Sequence, residues 1–249
     1  MRLLAVIAAV CVIASPVTSH AQRGGRGGAP AAAPRESAAI DLTGYWVSVI
    51  TEDWKYRMVT PKKGVFDALT LNPAGRKIGE AWDPARDEAA GEQCKGYGAV
   101  GIMRLPTRLH ITWQDANTLR VDADAGTQTR LFQFGRPAAA AGEPTWQGHS
   151  VAEWEYAGGG RGGARTGNLK VVTTNLRPGY IRKNGAPYSD KTILTEFFDI
   201  NTLPNGDQLM TVTTRVEDPQ YFARPHISTL DFKKLPTAAG WNPTACIAK

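Results

Sequence analysis

The stretch RLHITWQDANTLRVDADAGTQTRLFQF, residues 108–134, decides the fold class. Apolar and polar side chains alternate along 108–113, 118–123 and 128–134, and β-branched and aromatic residues are frequent there. A period of two is typical of strands that bury one face. Residues 114–117, QDAN, have the composition of a hairpin turn. The stretch therefore predicts three strands, the first two of which form a hairpin.

Similar segments occur on both sides of this stretch. TGYWVSVIT at 43–51 precedes it, and the segments that follow are 150–156, 169–175, 193–199, 208–217 and 228–233. About nine strands in an antiparallel meander favour a closed barrel, because closure leaves no edge strand unpaired. Residues 38–249 are enough for one such domain. The sequence therefore predicts an all-β domain folded as an antiparallel β barrel.

Residues 72–92 break the strand pattern. Asn72 is a good N-cap residue and Pro73 suits the first position of a helix. Asp83 and Pro84 repeat this start signal eleven positions later. We therefore expect two short helices in tandem, inserted after the first strand.

Gly44 and Trp46 resemble the G-x-W motif that opens the first strand of lipocalins. The resemblance implies a lipocalin-like (calycin-type) β barrel. In that family the Trp closes one end of the barrel and the open end holds an apolar ligand. For this chain it implies a small apolar molecule as the partner.

A second resemblance covers residues 144–225. Its blocks resemble, in the same order, those of a group of secreted bacterial proteins of unknown function. The blocks are PTWQGHSVAEWE at 144–155, NGAPYS at 184–189, LTEFF at 194–198 and VTTRVEDPQYFARP at 212–225. Where this chain has Tyr188, the group often has His. The resemblance implies export and β architecture, and it implies no particular chemistry.

The N-terminus has the order of a secretory signal peptide. Arg2 precedes an apolar run from Leu3 to Ala14, and a small-x-small cleavage site ends at Ala21. The run is shorter than the ~20 residues that span a bilayer as a helix, although a membrane anchor is the alternative. We therefore expect a signal peptide at 1–21, no integral membrane segment after cleavage, and a periplasmic or secreted protein.

Residues 22–37, QRGGRGGAPAAAPRES, follow the predicted cleavage site. This composition of Gly, Pro, Ala and charge cannot form a core, so it predicts a disordered arm before the barrel domain at 38–249. The formal net charge of the whole chain is +6, and loss of Arg2 leaves +5. A mild and dispersed positive charge does not indicate nucleic-acid binding.

Two cysteines, Cys94 and Cys246, remain once Cys11 is removed with the signal peptide. An even pair in an oxidising compartment predicts one disulfide, and two free thiols are the alternative. No CxxC or HxxxH spacing is present, so no metal site is expected. No nucleotide-binding or nucleophile-elbow motif occurs either, so no cofactor is expected.

His149 is the leading catalytic candidate, because a His can act as acid or base near neutral pH. Glu196 is the carboxylate that we pair with it. The alternative is a structural His with a hydrogen bond to the backbone at the barrel rim.

The chain has seven Trp residues, more than a barrel needs for packing alone. Flat apolar surfaces with a few polar groups are typical of small-molecule sites. The candidate ligand-binding residues are Trp54, Tyr56, Arg57, Trp146, Trp154 and Tyr188. The first hypothesis is a barrel that binds a small, largely apolar ligand in its cavity. A cofactor-free barrel enzyme (a lyase, isomerase or hydrolase using His149) and an envelope interaction module are the alternatives. The oligomeric state stays open.

Overall fold

The computed structural model describes residues 32–135, 142–157 and 166–249. The predicted signal peptide and residues 22–31 of the predicted arm lie outside the described residues. Eleven strands are present within the described ranges. They are β1 Gly44–Val49, β2 Arg108–Trp113, β3 Thr118–Ala123, β4 Gln128–Phe134, β5 His149–Ala157, β6 Thr166–Thr174, β7 Gly179–Arg182, β8 Ala186–Tyr188, β9 Ile193–Thr202, β10 Gln208–Glu217 and β11 His226–Leu235.

Nine of these strands close into a barrel in the order β1-β11-β10-β9-β6-β5-β4-β3-β2. The predicted all-β barrel is therefore confirmed. Eight of the neighbouring pairs are antiparallel, as expected, but β4 and β5 are parallel, with Phe132 opposite Ser150 and Phe134 opposite Ala152. An odd number of strands cannot alternate in direction all the way round a closed ring. One parallel pair is thus a geometric requirement that the antiparallel meander did not include.

Alternate side chains of each barrel strand point inward and form one apolar core. Trp46, Leu109, Phe132, Leu169 and Phe232 are completely buried members of this core. The indole nitrogen of Trp46 donates to the Leu42 carbonyl at 2.9 Å, so the ring is held by the segment that leads into β1. Side chains thus fill the middle of the barrel.

A helical segment lies between β1 and β2, at the end of the barrel that we call the upper end. It contains α1 Trp54–Arg57, α2 Pro73–Glu80, α3 Pro84–Ala89 and α4 Ala99–Ile102, and a 3-10 helix at Gln93–Tyr97. The two predicted helices are α2 and α3. The side chains of Asn72 and Asp83 cap them by accepting from the backbone N–H of Gly75 and Ala85.

The hairpin β7–β8 also lies at the upper end, outside the barrel wall. It packs with the helical segment into a second apolar cluster that includes Phe66, Val100, Ile181, Tyr188 and Val216. The upper end of the barrel is therefore covered by protein, and it is not an open mouth.

The opposite, lower end is closed by residues that precede β1. Residues 34–37 form a turn, and the indole of Trp154 donates to the Pro34 carbonyl at 2.9 Å. The hydroxyl of Tyr156 donates to the Ser37 carbonyl at 2.7 Å. The last residues of the predicted arm thus pack on the barrel.

After β11 the chain runs up the outside of the barrel to the upper end. Trp241 lies against the stacked rings of Tyr45 and His110. Beyond it, Cys246 forms a disulfide with Cys94, as the sequence predicts. Within the described ranges, no helix combines the length and apolarity needed to cross a bilayer.

Candidate functional site

His149 and Glu196, the predicted catalytic pair, lie on opposite faces of the sheet. Ser150 points into the barrel, where its hydroxyl meets that of Thr173 at 2.8 Å. His149 precedes it in β5 and therefore points outward. Glu196 is completely buried in the interior. The structure does not bring the two side chains together, so this His and this carboxylate cannot exchange a proton directly.

Glu196 has a different partner. Its carboxylate accepts two hydrogen bonds from the guanidinium of Arg130, one of them 2.9 Å long. Arg130 also donates to the hydroxyl of Thr173 at 3.3 Å. Both ions are buried in the barrel wall, where a charge is tolerated only if it is paired. Glu196 is therefore paired with Arg130 in the interior, and it does not line any of the pockets described below.

The six predicted ligand-binding residues do not form one site. Tyr56 and Arg57 are neighbours in α1 and line the same small cavity, whereas Trp54 is 65% exposed. Trp146 donates to the Pro178 carbonyl, and Trp154 lies at the lower end. Tyr188 is completely buried in the second apolar cluster, and burial raises the pKa of its hydroxyl.

Several pockets lie outside the apolar interior. One of about 630 Å³ opens at the upper end beside β10 and β11. It is lined by residues 52–53, Ala68, Thr70, Arg215 and the run 224–228, and we call it the rim pocket. Its volume is within the range of small-molecule sites, roughly 300–1,000 Å³.

His226 is the buried titratable residue of the rim pocket. It is the first residue of β11. Its position directly after Pro225 suggests a loop in the sequence, but the structure places it in the strand. The side chain is 5% exposed, and its Nε2 has no hydrogen-bond partner among the described residues. Burial, with a further contribution from the charge of Arg104, lowers the pKa of His226 to about 4. The imidazole is thus neutral at pH 7 and is a weak general base there.

Arg104 lies directly behind the rim pocket. Its guanidinium donates to Asp53 at 2.8 Å and to the hydroxyl of Ser228 at 3.1 Å, and both of these partners line the pocket. Ser228 in turn shares a hydrogen bond with Thr214 at 3.0 Å. A buried cation therefore holds two polar groups of the pocket floor in place.

The backbone is strained at two positions in the pocket. Asp53 has φ of 53° and Ala68 has φ of 64°, both in the left-handed region that residues with a Cβ avoid. Asp53 precedes α1, yet its carboxylate binds Arg104 and does not cap the helix. Strain of this kind, about 1–3 kcal/mol per residue, is concentrated at functional sites in proteins. It independently marks the rim pocket as a candidate site.

The cationic groups of the rim pocket differ in their pairing. Arg215 forms an ion pair with Glu217 at 2.8 Å. Arg224 is exposed and forms no ion pair with any residue that the structure describes. Glu52 is engaged by the backbone N–H and hydroxyl of Thr229. Among the described residues of the rim pocket, the group left free is therefore the guanidinium of Arg224, which suits an anionic group on a ligand.

This chain matches no family model, no curated protein and no solved structure. The nine-stranded barrel is consistent with a lipocalin-like fold, and the relation to the group of secreted proteins stays a prediction. The fold and the rim pocket define the class of protein: a closed β-barrel protein with a polar pocket at one end.

Proposed function

We propose that this protein binds a small molecule carrying an anionic group, such as a carboxylate or phosphate, in the rim pocket. The observation that carries the proposal is the exposed guanidinium of Arg224, which has no ion-pair partner among the described residues and lines a pocket of about 630 Å³. A guanidinium has only donors and matches the geometry of a carboxylate or phosphate, so an unpaired one at a pocket favours an anionic ligand.

The ligand is only partly apolar. Ala68, Pro225 and Ile227 offer apolar surface in the rim pocket, and the polar groups lie beside them. The largely apolar ligand expected from the sequence needs space inside the barrel, where Trp46, Phe132 and their neighbours pack instead. The proposal therefore keeps a small molecule as the ligand, but it assigns the ligand to the rim pocket and not to the barrel interior.

We further propose that the protein acts outside the cytoplasm. The signal peptide predicted at 1–21 supports this, and the disulfide between Cys94 and Cys246 fits an oxidising compartment. Sequencing the N-terminus of the exported protein tests it. The sequence should begin at Gln22, and a cell-associated protein that retains Met1 contradicts the proposal.

The binding proposal is tested with the mature protein and a panel of small carboxylates and phosphates, using isothermal titration calorimetry. Native mass spectrometry of the purified protein identifies a ligand that is already bound. Arg224→Ala should weaken binding of the best ligand about 10–100-fold, since a hydrogen bond to a charged group contributes about 1.5–3 kcal/mol.

Arg120→Ala is the matched control, because Arg120 is an exposed arginine of the barrel wall paired with Asp122. It should leave affinity unchanged. If Arg224→Ala binds every ligand like the wild-type protein, the rim pocket is not the site. Turnover of a bound compound would favour an enzyme over simple binding.

A further inference from the structure

A second recess adjoins the rim pocket, where β9 begins and β10 ends. It has a volume of about 430 Å³. It is lined by Lys191, Ile193, residues 217–219 and the run 222–225, and we call it the apolar groove. Two of its residues, Arg224 and Pro225, also line the rim pocket. Its volume, like that of the rim pocket, is within the roughly 300–1,000 Å³ of small-molecule sites.

Strand β10 connects the two spaces. Arg215 lines the rim pocket and Glu217, two positions further on, lines the groove, so both side chains emerge on the same face of the strand. They form an ion pair at 2.8 Å. In the register of the barrel, Arg215 lies opposite Ile227 of β11 and Glu217 lies opposite Ile193 of β9. The rim pocket and the groove are therefore neighbours on one side of the barrel wall, within reach of a single ligand.

The surface that the groove offers is mainly apolar. Pro219, Ala223 and Pro225 are exposed, and Ile193, a large aliphatic side chain, is 43% exposed. Phe222 also lines the groove and is buried. Covering such a surface with an apolar group is favourable, because it removes apolar area from water. The groove therefore suits the apolar part of a ligand.

The charged groups of the groove have partners, with one exception. The carboxylate of Asp218 is buried and accepts hydrogen bonds from the backbone and hydroxyl groups around it. Lys191 pairs with Asp190 at 3.1 Å, and Glu217 is held in the ion pair described above. The exception is Arg224, which forms no ion pair within the described part of the chain. The free guanidinium thus belongs to a residue that the two spaces share.

We propose that the ligand of this site is an anionic amphiphile, in which an aliphatic chain is joined to a carboxylate or phosphate. The anionic group binds Arg224 at the rim pocket, and the chain lies in the apolar groove beside Ile193. A molecule with only one of these parts leaves the other surface in contact with water, so a molecule with both gains affinity from each. This assignment rests on the function proposed for the rim pocket, and it adds the class of ligand.

The contribution of the chain is measured by calorimetric titration of the mature protein with butanoate, hexanoate and octanoate. Each methylene group that enters the groove should tighten binding about two- to fourfold, because apolar area leaves water. Octanol has the chain but no charge, and it should bind about 10-fold or more weakly than octanoate. Equal Kd values for the three carboxylates would refute the role of the groove and leave the function proposed for the rim pocket intact. Octanol that binds as tightly as octanoate would refute the anionic group.

Two substitutions separate the anionic group from the chain. Ile193→Asn should reduce the gain in affinity from butanoate to octanoate by about threefold or more and leave the affinity for butanoate nearly unchanged. Arg224→Ala should weaken all three carboxylates by a similar factor and keep the gain per methylene group. A gain that persists in full in Ile193→Asn would place the chain elsewhere and overturn the proposal.

Leu203→Asn is the matched control for Ile193→Asn. Leu203 is also an exposed aliphatic residue, at 37%, and it lies just beyond the opposite end of β9 from Ile193. This variant should bind the three carboxylates like the wild-type protein. A loss equal to that of Ile193→Asn would mean that the effect is not specific to the groove, and it would overturn the proposal.

A crystal structure locates the chain directly, and it covers the case in which Ile193→Asn does not fold. Octanoate brominated at its last carbon should give an anomalous peak in the groove near Ile193, and a peak at any other place would refute the proposal. If none of the three carboxylates binds, the amphiphile is refuted. The titration with short phosphates then decides separately whether the function proposed for the rim pocket stands.

Discussion

Arg130 and Glu196 form a doubly hydrogen-bonded ion pair inside the barrel wall, from β4 and β9, two strands that are not neighbours. Removing one partner leaves the other charge buried and unpaired. Glu196→Leu or Arg130→Met should therefore lower the free energy of unfolding by about 3–5 kcal/mol, measured by urea denaturation. The double variant should recover much of the loss.

The matched control for this prediction is Lys170→Met, which breaks the exposed ion pair with Glu153. A surface pair contributes about 0–1 kcal/mol, so little change is expected. If the buried and exposed pairs respond alike, the interior around Arg130 is more hydrated than its complete burial indicates.

The disulfide between Cys94 and Cys246 closes a loop with a sequence separation of 152 residues. Cross-linking a loop of that length lowers the entropy of the unfolded chain and stabilises the fold by about 5 kcal/mol. Replacing both cysteines by Ala should lower the free energy of unfolding by this order, measured by urea denaturation. A reducing agent should lower the Tm of the wild-type protein and leave that of the double variant unchanged; an effect on both would mean that the agent acts elsewhere.

His226 should make stability depend on pH. Its pKa is about 4 in the folded protein and 6.5 ordinarily, so between these values the unfolded chain takes up a proton that the folded protein refuses. The contribution of His226 is complete above pH 6.5 and is lost as the pH falls to 4, by up to about 3 kcal/mol. His226→Gln should flatten this slope in urea titrations at a series of pH values.

His110→Gln is the control for that experiment, since His110 stacks on Tyr45 on the outer face of the barrel. The quantity to compare is the difference in slope between variant and wild type, because carboxylates also titrate near pH 4. A His226→Gln slope equal to that of the wild type would show that the imidazole is hydrated in the folded state.

Gly185 and Gly206 have nearly the same positive φ, 82° and 85°, but different surroundings. A Cβ at Gly185 would collide with the ring of Trp82, whereas a Cβ at Gly206 meets no atom within 4 Å. Ala should cost about 1–2 kcal/mol at either position from backbone strain. At Gly185 overpacking should add about 1–3 kcal/mol. Urea denaturation of the two variants measures the difference, and equal losses would contradict the close approach of Trp82.

The barrel strands were predictable because each buries one face. The alternation along 108–113, 118–123 and 128–134 yields the observed bounds of β2, β3 and β4. The N-cap residues Asn72 and Asp83 likewise predict where α2 and α3 begin. The parallel pairing of β4 with β5 was not predictable, because alternation indicates which face is buried and not which strand lies alongside.

The rim pocket was harder to find for a similar reason. Asp53 and Arg104 are 51 residues apart, and nothing in their local sequence indicates that they meet. His226 follows Pro225, which suggests a loop, although its alternation with Ser228 and Leu230 could have placed it on the inner face of a strand. Arg57 is among the predicted ligand-binding residues, and it does line a small cavity.

The parallel contact of β4 with β5 also makes the barrel wall uneven. Only three residue pairs join these two strands, whereas β9 and β10 are joined by ten. Under mechanical load or thermal fluctuation, a closed barrel opens first between the two neighbouring strands that are joined by the fewest backbone hydrogen bonds. The contact between Phe132–Phe134 and Ser150–Ala152 is therefore the place where this barrel should open most readily. Amide protons there should exchange with solvent before those of β9 and β10.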